Sequence, residues 1–558
     1  MTMVSRSTIL KTIGLAGVSA LAMSAVAAEA RGERDGYDEG RSSSSSSSRR
    51  VDVVPYLEVS QIVTADLAGG SGEVLTYSVL AAGVDAGIVT RGAEAQVNLR
   101  YERRIDWGDD IGDEDVLSGI ARARIDVVPG ALSFEAGGLA ARNRIDLRGD
   151  APGNLVGGSD NVTQVYSVYA GPTLATHVGD LSVNAAYRLG YTRVEDNNIV
   201  LGPGQQPIDV FDDSVSHSVS ASVGQQPGPL PFGWSVSGGY AREDAGQLDQ
   251  RFEEKYARAD VTVPVTRDLA LVGGIGYEDV EISERDALRD VNGDPVIGND
   301  GRLVTDPASP RLLSFDADGL IWDVGVLWRP SRRTSLEARI GKRYDSTTYY
   351  GSFTYQPSSR TAINISAYDA VAGFGSRLND SLATLPTQFD SFRNPLTGDL
   401  NTCVFGAANG LCFNDALQSL ASSSFRTRGI TGSITTSTGA WQHGLAVGYN
   451  RRRFYAANTG ALAGFGGVVD QSWFASYFAG TQIDARSSFD ANVYASYLES
   501  GIGNGSDVLS LGANAAYYRN FTNRLSGSLA VGVDSYDQQG VDTQVVGSAL
   551  VGLRYSFQ

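Results

Sequence analysis

Few residues of this chain have the types and spacings that chemistry at a protein site requires. Its three histidines are His177, in a predicted tight turn, and His217 and His443, on the apolar sides of predicted strands. None of them shares a face with a plausible Ser or Asp pair, which nucleophilic hydrolysis would need. We therefore predict no catalytic residues and no enzyme.

One acidic stretch imitates a calcium-binding loop. Residues 290–294 (DVNGD) match the opening of such a loop, but Pro295 and Gly301 stand where glycine and glutamate are needed. A hairpin within a surface loop is the favoured interpretation, with weak calcium binding as the alternative. The acidic residues of 106–115 are expected to solvate another loop, with divalent bridging to polysaccharide as the alternative. We predict no metal site and no cofactor.

The two cysteines, Cys403 and Cys412, lie in the longest predicted loop. A metal site would need further ligands, which the surrounding sequence does not supply. In an exported chain a disulfide is the favoured state, because it restricts the unfolded loop. We predict a disulfide between these two residues.

Composition excludes several classes of protein. The chain has 558 residues and a formal net charge of −18, with no basic stripe of the kind that nucleic acid would require. Residues 1–30 combine a basic start, a short apolar core and a small-residue cleavage motif, which predicts a cleaved signal peptide and export by the general secretory route. Residues 31–50 predict a disordered, Ser/Arg-rich periplasmic leader. No later segment predicts a transmembrane helix or a long amphipathic helix.

The rest of the chain alternates polar and apolar side chains with a period of two. Serines occupy every second position of residues 214–222, and Val215 and Val219 stand between them. The same alternation recurs in residues 94–102 and 182–192. This period is typical of a strand whose two faces meet different surroundings.

Connection lengths predict how these strands are arranged. Short turns, such as those at 128–130, 177–180 and 438–440, alternate with long polar stretches, of which 281–313 and 372–424 are the longest. Outer-membrane barrels have short periplasmic turns and long extracellular loops. We predict an all-β fold over residues 51–558, a transmembrane antiparallel up-and-down β-barrel of about 22 strands, within a range of about 18 to 26. A soluble sandwich or propeller is the alternative, but no second sheet or blade repeat would cover the outward apolar face.

The register of the strands is constrained by charge. A charged side chain in the middle of a bilayer costs about 2–4 kcal/mol, so charges within strands should turn toward the lumen. Seven residues are predicted to face the lumen on this argument and on the serine alternation: Arg100, Arg122, Glu135, Arg188, Ser216, Ser218 and Ser220.

A short repeat supports the predicted turns. Residues 330–336 and 357–363 match at a constant offset of 27 residues, and each copy begins with proline. Proline cannot donate a hydrogen bond to a sheet ladder, so each copy should end a strand. Aromatic residues near predicted strand ends are expected at the membrane boundary. These include Tyr56, Tyr77, Trp107, Trp322, Trp328, Tyr344, Tyr355, Trp441 and Trp473.

Residues 54–61 (VPYLEVSQ) and 328–336 (WRPSRRTSL) resemble β-barrel porin families of Gram-negative genomes, in particular barrels associated with exosortase (PEP-CTERM) and exopolysaccharide gene clusters. The resemblance extends over residues 51–558 and implies a location in the cell outer membrane. We expect contact with outer-membrane lipid and lipopolysaccharide, and recognition of Tyr555 and Phe557 in the last strand by the barrel-assembly machinery. Polysaccharide or small hydrophilic solutes are further expected partners.

A barrel of this size encloses more space than the side chains of its wall can fill. We therefore predict a passive, porin-like channel, narrowed by inward folding of loops 281–313 and 372–424. Two alternatives stay open, an outer-membrane component of exopolysaccharide export or assembly and a structural or adhesive surface barrel.

Overall fold

The structure is a computed structural model. It describes residues 50–69, 72, 74–108, 114–144, 162–195, 209–405, 410–413, 416–417, 420–501, 507–539 and 542–557. The predicted signal peptide (1–30), the predicted leader up to residue 49 and part of the acidic cluster (109–113) lie outside the described residues.

Most of the described chain is β-strand. The long strands are β1 (Arg50–Ala68), β2 (Val74–Val89), β3 (Ala93–Asp106), β4 (Glu114–Val128), β5 (Leu132–Arg144), β6 (Val162–Val178), β7 (Leu181–Val194), β8 (Asp213–Gln225), β9 (Gly233–Ala245), β10 (Arg251–Pro264), β11 (Leu269–Glu284), β12 (Leu312–Ser331), β13 (Thr334–Arg343), β14 (Ser346–Ser358), β15 (Thr361–Ala372), β19 (Phe425–Thr438), β20 (Trp441–Phe454), β21 (Val469–Asp484), β22 (Ser487–Glu499), β23 (Val508–Asn520), β24 (Leu525–Gln538) and β25 (Gln544–Ser556). Between β15 and β19 lie helix α1 (Phe374–Thr384) and the short strands β16 (Asp390–Arg393), β17 (Leu400–Phe405) and β18 (Gly410–Cys412), and a 3₁₀ turn (Gln247–Asp249) precedes β10.

The long strands form one closed antiparallel sheet. Each pairs with the next along the chain, β15 pairs with β19, and β25 pairs with β1, where Tyr56 lies opposite Ser556. Within the described residues this sheet contains 22 strands. The predicted all-β, antiparallel, up-and-down barrel of about 22 strands is confirmed. The three short strands form a separate small sheet.

Connections of different length separate the two ends of the barrel. At the short-turn end, two residues link β6 to β7 and β19 to β20, and Gly179 (φ +61°) and Gly439 (φ +63°) adopt left-handed conformations there. Both copies of the sequence repeat form such turns, because Ser331 pairs with Thr334 and Ser358 pairs with Thr361. Each proline of the repeat therefore lies one residue before the end of its strand, as its missing N–H requires.

The opposite end is here called the long-loop end, although one of its connections is a two-residue turn. Only Tyr344 (φ +51°) and Asp345 (φ +53°) connect β13 to β14. Positive φ is uncommon for residues other than glycine. The Tyr344 side chain is buried among the described residues, where the Arg426 guanidinium lies over its ring.

The two faces of the wall differ as the alternation predicts. Val215, Val219 and Val223 of β8 are exposed on the outer face, and Ser214 and Ser216 are buried on the inner face. Large apolar side chains are exposed in the same way on other strands, among them Leu57, Val59, Leu80, Leu99, Val261, Ile275, Leu320, Val324, Ile340, Leu529, Val531 and Val551.

Three aromatic residues predicted at the membrane boundary lie elsewhere. Tyr56 and Tyr77 are on the inner face and almost fully buried, and Tyr344 is buried in its turn. The Arg554 guanidinium lies 3.5 Å from the centre of the Tyr56 ring, and this cation–π contact favours the inner face for Tyr56. The prediction was wrong for these three because distance from a strand end does not specify which face a residue occupies.

Candidate functional site

Residues 373–424, here called the lumen segment, connect β15 to β19, and the described part of this segment lies inside the barrel. The segment begins with α1, whose free N–H groups meet a carboxylate on the wall. The Gly375 and Ser376 N–H groups donate to the two oxygens of Glu243 on β9, each at 2.9 Å. A carboxylate at this position satisfies unpaired N–H groups and complements the helix dipole.

One face of α1 is apolar and packs on the wall. Phe374, Leu378 and Leu382 recur every four residues, and all three are fully buried. They belong to one cluster with wall residues of β4 to β7, including Ile120 and Val165. The four-residue spacing places all three side chains on one stripe of the helix.

A polar residue of α1 binds three strands at once. The Asn379 carboxamide oxygen accepts a hydrogen bond from Ser167 at 2.9 Å, and its nitrogen donates to Thr192 at 3.4 Å and Ser216 at 3.2 Å. Its approach is close, because a Cβ atom built at Gly190 would lie 2.2 Å from the Asn379 nitrogen. Ser216 is one of the alternating serines.

In the next part of the lumen segment, side chains of the wall form hydrogen bonds with backbone groups of the segment. The Gln96 side chain of β3 donates to the Phe389 carbonyl at 2.6 Å and accepts from the Phe389 N–H at 3.3 Å. The Arg104 guanidinium donates to the Thr397 carbonyl at 2.6 Å. Wall side chains thus supply partners for backbone groups that the segment does not pair within itself.

Two arginines fix the turn between β16 and β17. Arg393 donates to the Ser118 carbonyl on β4 at 3.0 Å. Arg142 on β5 makes a bidentate ion pair with Asp399, at 2.8 and 2.7 Å. Burial alone would raise the pKa of Asp399, but the nearby Arg142 guanidinium holds that pKa below its usual value.

The lumen segment also reaches the neighbouring part of the wall. Leu396 packs in a buried cluster with residues of β1, β2 and β23 to β25, including Ile62 and Ala530. Cys403 packs against Phe474 and Phe478 of β21. The segment therefore contacts wall strands on both sides of β1, among them β21, β24 and β9.

Near its end the segment pairs with the connection between β7 and β8. Val210 and Ala421 form an antiparallel bridge, and the Ser423 N–H donates to Asp209 at 2.8 Å. Burial raises the pKa of Asp209, although hydrogen bonds from the serines oppose that rise.

The other long loop behaves differently from the prediction that it folds inward. Residues 285–311 lie at the long-loop end, where Leu303 packs with Leu248, Ala456 and Leu462 from neighbouring connections. Arg302 donates to the Phe211 carbonyl at 3.1 Å. This loop contacts other connections at the mouth, whereas the described part of the lumen segment occupies the lumen.

Filling of the lumen is uneven along the barrel axis. On β4, Ser118 and Arg122 are buried toward the long-loop end, whereas Arg124, nearer the short turns, is exposed. A cavity of about 400 Å³ opens beside Arg124 at the short-turn end, with Leu385 and Thr387 of the lumen segment on one side. The half of the lumen near the short turns is thus more open.

The wall from β10 to β13 carries a network of ion pairs. Arg258 contacts Asp260 at 2.6 Å and Asp323 at 2.7 Å. Arg339 contacts the same two carboxylates at 2.9 and 3.1 Å, and Glu337 at 2.8 Å. These charges are on the inner face, as the cost of charge in lipid requires.

The predicted lumen residues are placed as follows. Arg100 binds Glu58 at 2.9 Å, and Arg122 binds Glu135 at 3.0 Å. Ser216 contacts α1, whereas Arg188 and Ser218 line a cavity beside that helix. Ser220 shares their face of the wall and is exposed. The residues of the segment that bind the wall, such as Asn379 and Asp399, were not predicted.

The two strand histidines and the stretch that imitates a calcium-binding loop contact neighbouring residues of the protein. The His217 ring lies 3.0 Å from the Tyr187 hydroxyl, and the His443 ring lies 2.8 Å from that of Tyr477. Asp290 accepts hydrogen bonds from the N–H groups of Asn292 and Asp294, each at 2.9 Å. Among the described residues, no group of three or more His, Cys, Asp or Glu residues could hold a metal ion.

Cys403 is disulfide-bonded. Cys412, the other cysteine of the chain, lies opposite it in the pairing of β17 with β18. A bond between these positions would join the two strands of the small sheet that lie against the wall.

Neither α1 nor the other described helical turn is long and apolar enough to cross a membrane.

No protein-family model and no curated protein matches the chain. Among solved structures, it is similar to the FrpB iron transporter (F5-1 variant) from Neisseria meningitidis, at 11% identity over 90% of this chain and 82% of that chain, with a TM-score of 0.43. The closed form of the ferric-catecholate import receptor Fiu from E. coli K12 matches at 12% identity over 91% and 82%, with a TM-score of 0.43. The siderophore receptor PiuA from Acinetobacter baumannii matches at 8% identity over 90% and 82%, with a TM-score of 0.42.

Proposed function

We propose that this protein is an outer-membrane channel for small hydrophilic solutes, which its own lumen segment closes in the conformation described. The observation that carries the proposal is the position of the described part of the lumen segment, which lies within the barrel and packs with residues of β20, β21, β23 to β25, β1, β2, β4 to β7 and β9. In this account the segment must move before a solute can pass.

The outer surface supports a membrane location. Large apolar side chains such as Leu57 (52% exposed) and Val531 (61% exposed) recur on the outward face of the strands. Soluble monomers rarely expose apolar surface so extensively, whereas a lipid-facing wall must be apolar. The predicted export route and the predicted recognition of Tyr555 and Phe557 during assembly are consistent with this location and remain predictions.

The contacts of the lumen segment support movement. Many of them are polar, including those of Asn379 with serines and a threonine and those of Arg142 with Asp399. Water can replace hydrogen bonds of this kind, so their net contribution is about 0.5–1.5 kcal/mol each for neutral groups. The helix packing of Leu378 and Leu382 opposes release, and the balance sets how often the channel opens.

A reversible lock tests the requirement for movement. The double variant Ser216→Cys/Asn379→Cys replaces two side chains that touch at 3.2 Å and would join α1 to β8 when oxidised. Solute entry into liposomes would be measured with the pair oxidised and reduced. The unmodified chain, with and without reductant, is the matched control for any effect at Cys403.

The proposal predicts that oxidation of the engineered pair suppresses solute entry and that reduction restores it. If entry were equal in both states while mass spectrometry showed the new disulfide, passage would not require movement of α1.

Export of exopolysaccharide and adhesion by surface loops stay predictions from the sequence. Surface polysaccharide that is unchanged after gene deletion would contradict the export prediction.

A further inference from the structure

A cavity of about 260 Å³ lies where the lumen segment leaves the wall. One side is formed by α1, and the other by residues of β6 to β10, β13 and β15. Ligand pockets for drug-sized molecules occupy about 300–1,000 Å³, so this space suits one molecule of roughly monosaccharide size.

Two opposite charges, Arg188 and Asp380, face this cavity and attract each other across it. Arg188 projects from β7 and Asp380 from α1, where the nearby Arg377 guanidinium also attracts the Asp380 carboxylate. The other arginines of the strands around the cavity differ, because Arg242 pairs with Asp244 at 2.6 Å and Arg343 with Glu278 at 2.8 Å. Because Asp380 is exposed and Arg188 is half-buried, both charges are open to a molecule bound in the cavity.

One buried hydroxyl beside the cavity lacks a hydrogen-bond partner. Tyr169 is 3% exposed, and its hydroxyl is buried with no hydrogen bond. Buried polar atoms of this kind are usually satisfied by protein, water or a ligand. The hydroxyls of Ser218 and Ser376 line the same cavity.

We propose that this cavity binds a small carboxylic acid that also carries hydroxyl groups, such as a sugar acid. The planar guanidinium of Arg188 binds the carboxylate through two parallel hydrogen bonds. Asp380 accepts hydrogen bonds from hydroxyl groups of the same molecule, and Tyr169 provides a further polar contact. Because the ligand touches both wall and helix, it bridges the fixed and movable parts of the lumen.

This inference rests on the proposed function in one respect, since the site would select the solute that the channel passes. Binding itself can be measured without conduction. Binding without any solute entry would count against the channel and leave the site intact. Solute entry without binding would remove the site and leave the channel intact.

The test is titration calorimetry on the full, folded chain in detergent, with glucuronate as the probe. Glucose, which has the same ring without the carboxylate, is the comparison ligand. Arg188→Gln removes the carboxylate partner, and Arg124→Gln removes an exposed lumen arginine outside the cavity as the matched control. Asp380→Asn tests the second charge. A difference in gel migration between unheated and heat-denatured protein establishes that each variant is folded.

We expect glucuronate to bind at least tenfold more tightly than glucose, and Arg188→Gln to reduce its affinity to that of glucose. Arg124→Gln should leave binding unchanged, and Asp380→Asn should weaken it several-fold. Equal affinity for glucuronate and glucose, or no binding of glucuronate at millimolar concentration, would overturn the proposal. Since these two ligands are compared on the unmodified chain, the test does not depend on the folding of any variant.

Discussion

At the residue scale, the closed lumen depends most clearly on the ion pair between Arg142 and Asp399. Arg142 is 8% exposed, and its two hydrogen bonds to Asp399 join the wall to the lumen segment. Removing one partner of a buried pair leaves the other charge uncompensated. The pair therefore couples the position of the segment to the charge state of a single carboxyl group.

Replacing Asp399 with Asn should loosen the lumen segment. The free energy that holds the segment in place should fall by about 2 kcal/mol, because Arg142 stays buried without its counter-charge. Trypsin should then cleave after Arg393 at least tenfold faster than in the unmodified chain. Asp126→Asn, at a half-exposed carboxylate near the short turns, is the control, and equal cleavage rates in both variants would contradict the role of the pair.

Acid should weaken the same contact. The pKa of Asp399 is lower in the folded chain, so its contribution is complete above the ordinary value of about 3.9 and is lost as the pH falls through the depressed value. Conductance in planar bilayers should therefore rise below about pH 4. Glu102 and Glu114 also lie near Arg142, so the comparison is with Asp399→Asn, whose rise should be smaller.

The two faces of β8 provide a test of the wall. Val219→Arg would place a charge in lipid at a cost of about 2–4 kcal/mol, whereas Ser218→Arg would place it in the lumen. The first variant should assemble poorly and the second should assemble well, as measured by the folded fraction in outer membranes. Equal damage from the two substitutions would mean that the assigned faces are wrong.

At the element scale, α1 shows what the sequence pattern did and did not reveal. Phe374, Leu378 and Leu382 have helical spacing, but they lie in a stretch bounded by strand patterns and only 11 residues long. Short helices are marginal without tertiary contacts, so the pattern alone is weak evidence. The contacts that stabilise α1, from Glu243 and the serines, come from positions distant in sequence.

The small sheet of the lumen segment should depend on its cysteines. Changing both Cys403 and Cys412 to Ser should destabilise it by about 3 kcal/mol, the usual contribution of a disulfide closing a short loop. Protease cleavage between β16 and β18 should accelerate while the barrel stays folded. Unchanged cleavage would show that the packing of Cys403 on Phe474 and Phe478 suffices to hold the sheet.

At the scale of the whole molecule, the wall was predictable and the contents of the lumen were not. Alternation along a strand such as β8 reflects lipid on one side and a polar interior on the other, so it can be read locally. The contents depend on pairs such as Arg142 and Asp399, which are 257 residues apart, and no local pattern records them. Loop length indicated that residues 372–424 would fold inward, but it also suggested this for residues 281–313, which stay at the mouth.

Conductance of a chain without the lumen segment tests the central claim most directly. Residues 376–421 would be replaced by a short Gly/Ser linker between β15 and β19, and the folded variant would be compared with the unmodified chain in planar bilayers. We predict a conductance at least tenfold higher for the variant, because the segment fills the lumen near the long-loop end. A folded variant with the same low conductance as the unmodified chain would contradict the claim that this segment closes the channel.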